Sequence, residues 1–315
     1  MAEPQYSIFS KRFFLFLTLG VGVFLILSLY GNWRAVSEAF SRFSYWSLPL
    51  ILALAFLNYL TRFWRWELYL KRVDISLTKK ESFLIFMSGL VMTVTPGKMG
   101  ELLKSYLLKE GHQIPLARSG PIVLAERFTD LLAVYLLTLM GSISFAYGAE
   151  VLWVGLSVLV LGLLPLFFPK LFQGFLMILR RFSWGRRLES PLLEAFQTLH
   201  DLMGLRLLFW ASLLGLVAWF FECLAFQVVF RGLSVEIPLF KATFIYAFST
   251  LVGALSMLPG GIGAAEGSMT SLLLFINIPK PLASTATIII RICTIWFAVI
   301  LGYGFLRLYR KHKSS

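Results

Sequence analysis

Charge is scarce in this chain: of 315 residues 14% are charged and 58% hydrophobic. A soluble globule carries about a quarter charged residues, so a water-dissolved domain of this size is excluded. Cysteine is scarcer still. Cys223 and Cys293 both sit in apolar runs, which excludes a disulfide framework and leaves two small packing residues. His112, His200 and His312 are scattered. With no H-E-x-x-H, no Cys/His cluster and no G-x-S-x-G, the chain lacks the patterns of a metal site or an activated serine. No polar stretch is long enough for a second, soluble catalytic domain. No cofactor, no metal and no enzyme activity are expected.

What the chain has instead is long hydrophobic runs. Residues 13–30 (FFLFLTLGVGVFLILSLY) and 151–168 (VLWVGLSVLVLGLLPLFF) contain no charge, and about 17 to 25 apolar residues cross a bilayer as helix. The class is an all-α integral membrane protein. Six spans are expected, at 13–30, 45–61, 121–147, 151–168, 207–230 and 283–306. Lys11 and Arg12 resemble a signal-peptide start, but the run after them is too long and no small-residue cleavage site follows. The first helix reads as uncleaved.

Two more apolar segments, 82–95 and 243–258, each run into a Pro-Gly. At 1.5 Å per residue the first reaches only about 21 Å, short of a hydrocarbon core about 30 Å thick. Proline removes a helix donor and glycine permits a reversal, so backbone leaves the helix at Pro96-Gly97 and Pro259-Gly260. Irregular backbone survives at membrane depth only inside protein or beside a wet cavity. These segments read as two re-entrant hairpins, with second limbs at 98–110 and 263–277.

Basic residues fit that topology. With both termini cytoplasmic, 21 of the 29 Lys and Arg fall on the cytoplasmic side, five outside, and Lys98, Arg127 and Arg291 within the membrane. The formal charge of +13 then reflects topology and contact with anionic lipid, not nucleic acid. The run from Arg62 to Arg72, RFWRWELYLKR, reads as an interfacial anchor or a head-group contact at the cytoplasmic mouth. Residues 170–206 read as lying along the cytoplasmic face.

The broken segments recur. Lys80 matches Lys241, Pro96 matches Pro259, and Arg127 matches Arg291, at separations of 161, 163 and 164. An odd number of crossings between them makes the repeats inverted in topology, and paired interrupted segments point to a transporter's site. The chain divides into an N-terminal helix and loop at 1–44, repeat 1 at 45–147, a connecting helix and cytoplasmic segment at 148–206, repeat 2 at 207–306 and a basic tail at 307–315.

Ionisable side chains within a membrane mark functional sites. The first hairpin offers Lys98, Glu101, Lys104 and Ser105; the next helix has Glu126, Arg127 and Asp130; the second hairpin has Glu266; the last helix has Arg291, with Thr287 and Thr294 on its face. The other reading is that Arg127 with Asp130 or Glu101, and Arg291 with Glu266, simply tie the hairpins down. Glu222 in WFFECLAF is a partner for either arginine or a proton carrier. Gly100, Gly261 and Gly263 join the Pro-Gly pairs in turns whose following helix starts favour an anion; close helix packing is the alternative use of such small residues.

PGKMGELLKSYLL, AERFTDLLAVYLL and LPGGIGAAEGSMTSLLL, in that order, resemble the membrane family named for the transmembrane region of lysylphosphatidylglycerol synthase, over about residues 45–306. The resemblance implies lipid handling in the cell membrane of a bacterium or archaeon, with a phospholipid or isoprenoid-linked lipid as ligand. It implies a functional set of Pro96, Gly97, Gly100, Glu101, Glu126, Arg127, Asp130, Pro259, Gly260, Gly261, Gly263, Glu266 and Arg291. The aminoacyl-transferase domain of some members has no counterpart in these residues, so lysyl transfer is not implied and room is left for a separate lipid-modifying partner. The expected function is lipid translocation, with a small-solute transporter or a membrane-embedded lipid-modifying enzyme as alternatives. Oligomeric state is left open.

Overall fold

In the computed structural model, residues 11–95, 100–143 and 183–314 are described, together with residues 153, 157, 172, 174 and 177. Among them every regular element is helical. The first is α1 (Lys11–Tyr30), which turns through 99° into α2 (Trp33–Arg42). Asn32, at positive φ, caps α2 by accepting from the Arg34 amide.

The next helix, α3 (Leu48–Arg72), has a proline in its first turn and Lys71 and Arg72 in its last, both favourable to helix ends. It runs eleven residues beyond the expected end at 61, to about 37 Å at 1.5 Å per residue. The reading of Arg62 and Arg65 as an interfacial anchor is therefore corrected. Hydropathy drops at Arg62, but neighbouring helices bury the polar stripe, leaving Arg62 4% and Arg65 0% exposed. Trp64, on the opposite face, is 60% exposed and keeps the peripheral role.

After α3 come α4 (Lys79–Gly89), α5 (Leu103–His112) and α6 (Leu116–Ser142). The Thr78 hydroxyl accepts from the Glu81 amide and starts α4, which tightens to 3₁₀ geometry at Leu90–Met92. Pro96, Gly97 and Lys98 lie outside the described residues, as does nearly all of the expected span 151–168. The second limb of this segment begins its α-helix at Leu103 rather than 98, because residues 100–102 are 3₁₀. Helix α6 starts earlier than 121 and is long enough to cross a bilayer, but Arg118, Glu126, Arg127 and Asp130 interrupt its apolar character.

Then follow α7 (Ser183–Leu202), α8 (Leu205–Gly232), α9 (Leu239–Leu255), α10 (Ala264–Phe275), α11 (Lys280–Arg291) and α12 (Phe297–Ser314). A π-helical turn, Ile292–Trp296, joins the last two. Among the described residues three helical stretches can cross a membrane by length and composition: Tyr45–Arg72, Leu205–Gly232 and Lys280–Lys313. The bent α1/α2 pair raises the number to four.

Helices α3 and α8 run along each other at the centre, where Asn58 donates to the Ala218 carbonyl at 2.8 Å, 160 residues away in sequence. On either side α6 packs on α9 and α12 packs on α4. The contacts are backbone-close. A Cβ built on Gly302 of α12 would sit 2.2 Å from the Val91 amide nitrogen, and one on Gly141 of α6 would sit 2.5 Å from that of Phe244. Backbone cannot swing aside as a side chain can. Gly302→Val is therefore expected to cost about 1 to 3 kcal/mol or more from overpacking, read as a fall in thermal unfolding temperature in detergent. Gly304→Val, with nothing within 4 Å of its Cβ, serves as the control.

Candidate functional site

Helix α3 supplies the first wall. Its buried stripe, Ile51, Leu54, Ala55, Asn58, Tyr59, Arg62, Arg65, Trp66 and Tyr69, follows the spacing of one helix face. Arg65 donates to Asp130 Oδ1 at 2.6 Å and to the Thr129 hydroxyl at 3.1 Å. Arg62, one turn away, is held more loosely. Its Nη2 lies 3.4 and 3.5 Å from the two Glu101 oxygens and 3.8 Å from Asp130 Oδ2.

Helices α5 and α6 and the turn before them complete this cluster. Arg127 Nη2 reaches Glu101 at 2.9 Å and Asp130 at 3.0 Å. Lys104 pairs with Glu126, lies 3.6 Å from Glu101, and has its ammonium over the rings of Trp66 at 4.7 Å and Phe86 at 5.1 Å. Lys104 is thus buried in the bundle, not on the cytoplasmic surface where charge counting put it; two aromatic faces and two carboxylates replace its water. Gly100 donates its amide to the Thr95 hydroxyl at 2.7 Å.

The second broken segment is tied differently. Gly260, Gly261 and Gly263 hold φ of 61°, 65° and 90°, left-handed backbone that a side chain would strain. Glu266 Oε2 accepts from the Gly263 amide at 2.7 Å and Oε1 from Arg291 Nε at 2.6 Å. The ring closes as Arg291 Nη2 donates to the Gly260 carbonyl at 2.7 Å. Two of the guanidinium's nitrogens are engaged in holding this turn.

Between the halves is a cavity of about 350 Å³. Arg62, Arg127 and Arg291 line it, as do Asp130, Glu222, Gly260 and Gly261. Tyr246 donates to Glu222 Oε2 at 2.6 Å, Tyr59 donates to the Thr294 carbonyl at 2.7 Å, and Trp219 donates to Asp130 Oδ1 at 3.1 Å. Thr294 lies in the π turn, and Tyr59 meets a carbonyl in that irregular stretch. One edge of the cavity is apolar and open: Leu124, Leu255, Met257 and Leu258 line it at 44%, 40%, 62% and 44% exposure.

The sequence-selected residues thus fall into two groups. Arg127, Asp130, Glu222, Gly260, Gly261 and Arg291 reach the cavity wall. Glu101 and Glu266 do not line it but hold Arg62, Arg127 and Arg291, which do; Glu126 holds Lys104, Gly100 donates to Thr95 and Gly263 to Glu266; Pro259 begins the second turn. Lys98, Pro96 and Gly97 fall outside the described residues. Sequence reasoning missed Arg62 and Arg65 as site residues, and with them Tyr59, Trp219 and Tyr246. The signal was present as helical spacing: residues 58, 59, 62, 65, 66 and 69 continue the core-facing face of α3.

A model of the lysylphosphatidylglycerol synthase TM region matches residues 15–302. Curated relatives bear the name UPF0104 membrane protein. One from Methanothermobacter thermautotrophicus is 36% identical over 97 residues, 31% of this chain and 29% of its own length. An alignment to a protein of that name from the same organism is 21% identical over 76% of this chain and 78% of the relative. A third relative, from Pyrococcus horikoshii, is 22% identical over 92% of this chain and 95% of its own length. With the matched residues taking in nearly the whole helical bundle and its charged cavity, the chain belongs to the lysylphosphatidylglycerol synthase TM region family of helical membrane proteins.

Proposed function

We propose that this protein is a lipid translocase: the polar head group of a membrane lipid passes through the central cavity while the acyl or isoprenoid tails stay in the bilayer. The observation that carries this reading is the cavity's composition. Arginines and carboxylates stand on its inner wall, and exposed Leu124, Leu255, Met257 and Leu258 stand at its edge. A lipid has the same polarity pattern. A soluble solute would be better served by a polar mouth.

The topology proposed with it is an inverted repeat of two units, 45–147 and 207–306, with both termini cytoplasmic and a multi-pass placement in the cell membrane. Helices α4 and α5 have 11 and 10 residues, about 17 and 15 Å, half of a hydrocarbon core. In the second unit α9 and α10 have 17 and 12. The reciprocal bonds support two related halves: α3 reaches residue 294 of the second unit through Tyr59, and α8 reaches Asp130 of the first through Trp219. Two broken segments meeting at one cavity is how alternating-access proteins are built.

Reconstitution in liposomes tests the function. Fluorescent lipids with several head groups are placed in both leaflets and the outer leaflet is chemically quenched, with and without a pH gradient, while uptake of soluble solutes is followed in parallel. Lipid translocation is expected above the protein-free rate. Solute uptake without lipid movement would reassign the protein to the small-solute class, and conversion of the head group would reassign it to the enzymes.

A further inference from the structure

The three cavity arginines are not equivalent. Arg291 has Nε and Nη2 engaged at 2.6 and 2.7 Å in holding the Gly260–Gly263 turn. Arg62 is 4% exposed, yet its contacts to carboxylates are 3.4 to 3.8 Å long and its Nε meets no acceptor among the described residues. Arg127 shares one nitrogen between Glu101 and Asp130, and its Nε is likewise without an acceptor among the described residues. Both side chains line the cavity.

The bases of this layer, Arg62, Arg65, Lys104 and Arg127, stand among Glu101, Glu126 and Asp130, and Glu222 faces the same cavity from α8, where it acts electrostatically on Arg62 and accepts a hydrogen bond from Tyr246. A guanidinium buried with an unmet N–H carries an unsatisfied donor, and its planar fork fits two oxygens of a phosphate.

We propose that Arg62 and Arg127 together form an anion subsite that takes a phosphate oxygen pair from the cavity, and that Arg291 is a positioning residue for the Gly260–Gly263 turn. The inference rests on the translocase reading only for the source of the phosphate, a lipid head group. The subsite itself stands on the geometry. Arg62 lies on the cavity wall one turn before Arg65, and its 3.4 to 3.8 Å approaches to Glu101 and Asp130 are the long contacts a phosphate would replace.

Calorimetric titration of the full chain, held in an amphipathic polymer, provides the test. The probes are dihexanoyl phosphatidylglycerol, dihexanoylglycerol without the phosphate, and inorganic phosphate. The phosphate-bearing lipid is expected to bind at least about tenfold more tightly than the phosphate-free one. Arg62→Gln and Arg127→Gln are each expected to weaken it about ten- to a hundredfold, as loss of a hydrogen bond between charged groups does. Arg291→Lys is expected to lower the thermal unfolding temperature and to weaken binding less than either glutamine variant does. If Arg62→Gln does not fold, Arg127→Gln decides alone. Wild-type affinity in the folded glutamine variants, or equal binding of dihexanoylglycerol, overturns the subsite. Inorganic phosphate bound as tightly as the lipid supports the subsite but contradicts a lipid ligand. Lipid translocation without any phosphate-dependent binding leaves the translocase reading intact and removes this one.

Discussion

Replacing Arg65 with methionine is expected to unfold or strongly destabilise the protein, by about 3 to 5 kcal/mol, the cost of removing one partner from a buried ion pair. The guanidinium is 0% exposed and 2.6 Å from Asp130. It also holds the Thr129 hydroxyl, which in turn contacts the Tyr69 hydroxyl at 3.3 Å. Methionine fills much of the volume but removes the guanidinium N–H from Thr129 and the 2.6 Å partner from Asp130. Thermal unfolding in detergent, followed by circular dichroism, measures the loss. The contrast is Arg72→Met: that arginine is 51% exposed and its pair with Asp201 is 3.7 Å long, so a change below about 1 kcal/mol is expected. Equal destabilisation by the two substitutions would show that the buried network does not hold α3 to α6.

The second large effect is on transport. Arg127→Lys keeps the charge and the proximity to Glu101 and Asp130, and its site at 15% side-chain exposure tolerates the shorter head. Lysine cannot present two parallel N–H groups to one phosphate. The variant is expected to fold and insert normally and to translocate labelled lipid about ten- to a hundredfold more slowly, corresponding to loss of a charged hydrogen bond at about 1.5 to 3 kcal/mol. The measurement is the initial rate of lipid translocation in liposomes at matched protein density. A wild-type rate would make Arg127 a tie between α6 and the residues before α5, and nothing more.

Much of this arrangement is legible in the sequence because membranes make polar groups conspicuous. Arg127, Asp130, Glu266 and Arg291 stand out against apolar neighbours, and Pro259 with its glycines announces a turn, found at Pro259–Gly261. What hydropathy cannot resolve is the end of a helix whose polar face is buried by other helices. Arg62 and Arg65 follow the apolar run at the place where a span is expected to reach water, so they resemble an anchor, and Trp64 and Arg72 nearby are indeed exposed. The distinction lies in angle around the helix rather than position along it. Lys104 was misplaced for a similar reason: a short helix such as α5 has no apolar length to mark its depth, and only the rings of Trp66 and Phe86, distant in sequence, show that it is enclosed. Trp219 and Tyr246 carried no signal of their own, since aromatic residues are common throughout a chain that is 16% aromatic.

Obstructing the cavity mouth tests the central claim most directly. Ala254 lines the cavity and is exposed beside Leu255 and Met257, so a tryptophan there fills the entrance without displacing packed core. The measurement is the rate at which a fluorescent phospholipid changes leaflet in liposomes containing wild-type protein, Ala254→Trp, or no protein. Head-group passage through this cavity predicts a wild-type rate well above the protein-free rate and an Ala254→Trp rate close to it, with unchanged thermal unfolding. A wild-type rate equal to that of protein-free liposomes, or an Ala254→Trp rate equal to wild type, would contradict it.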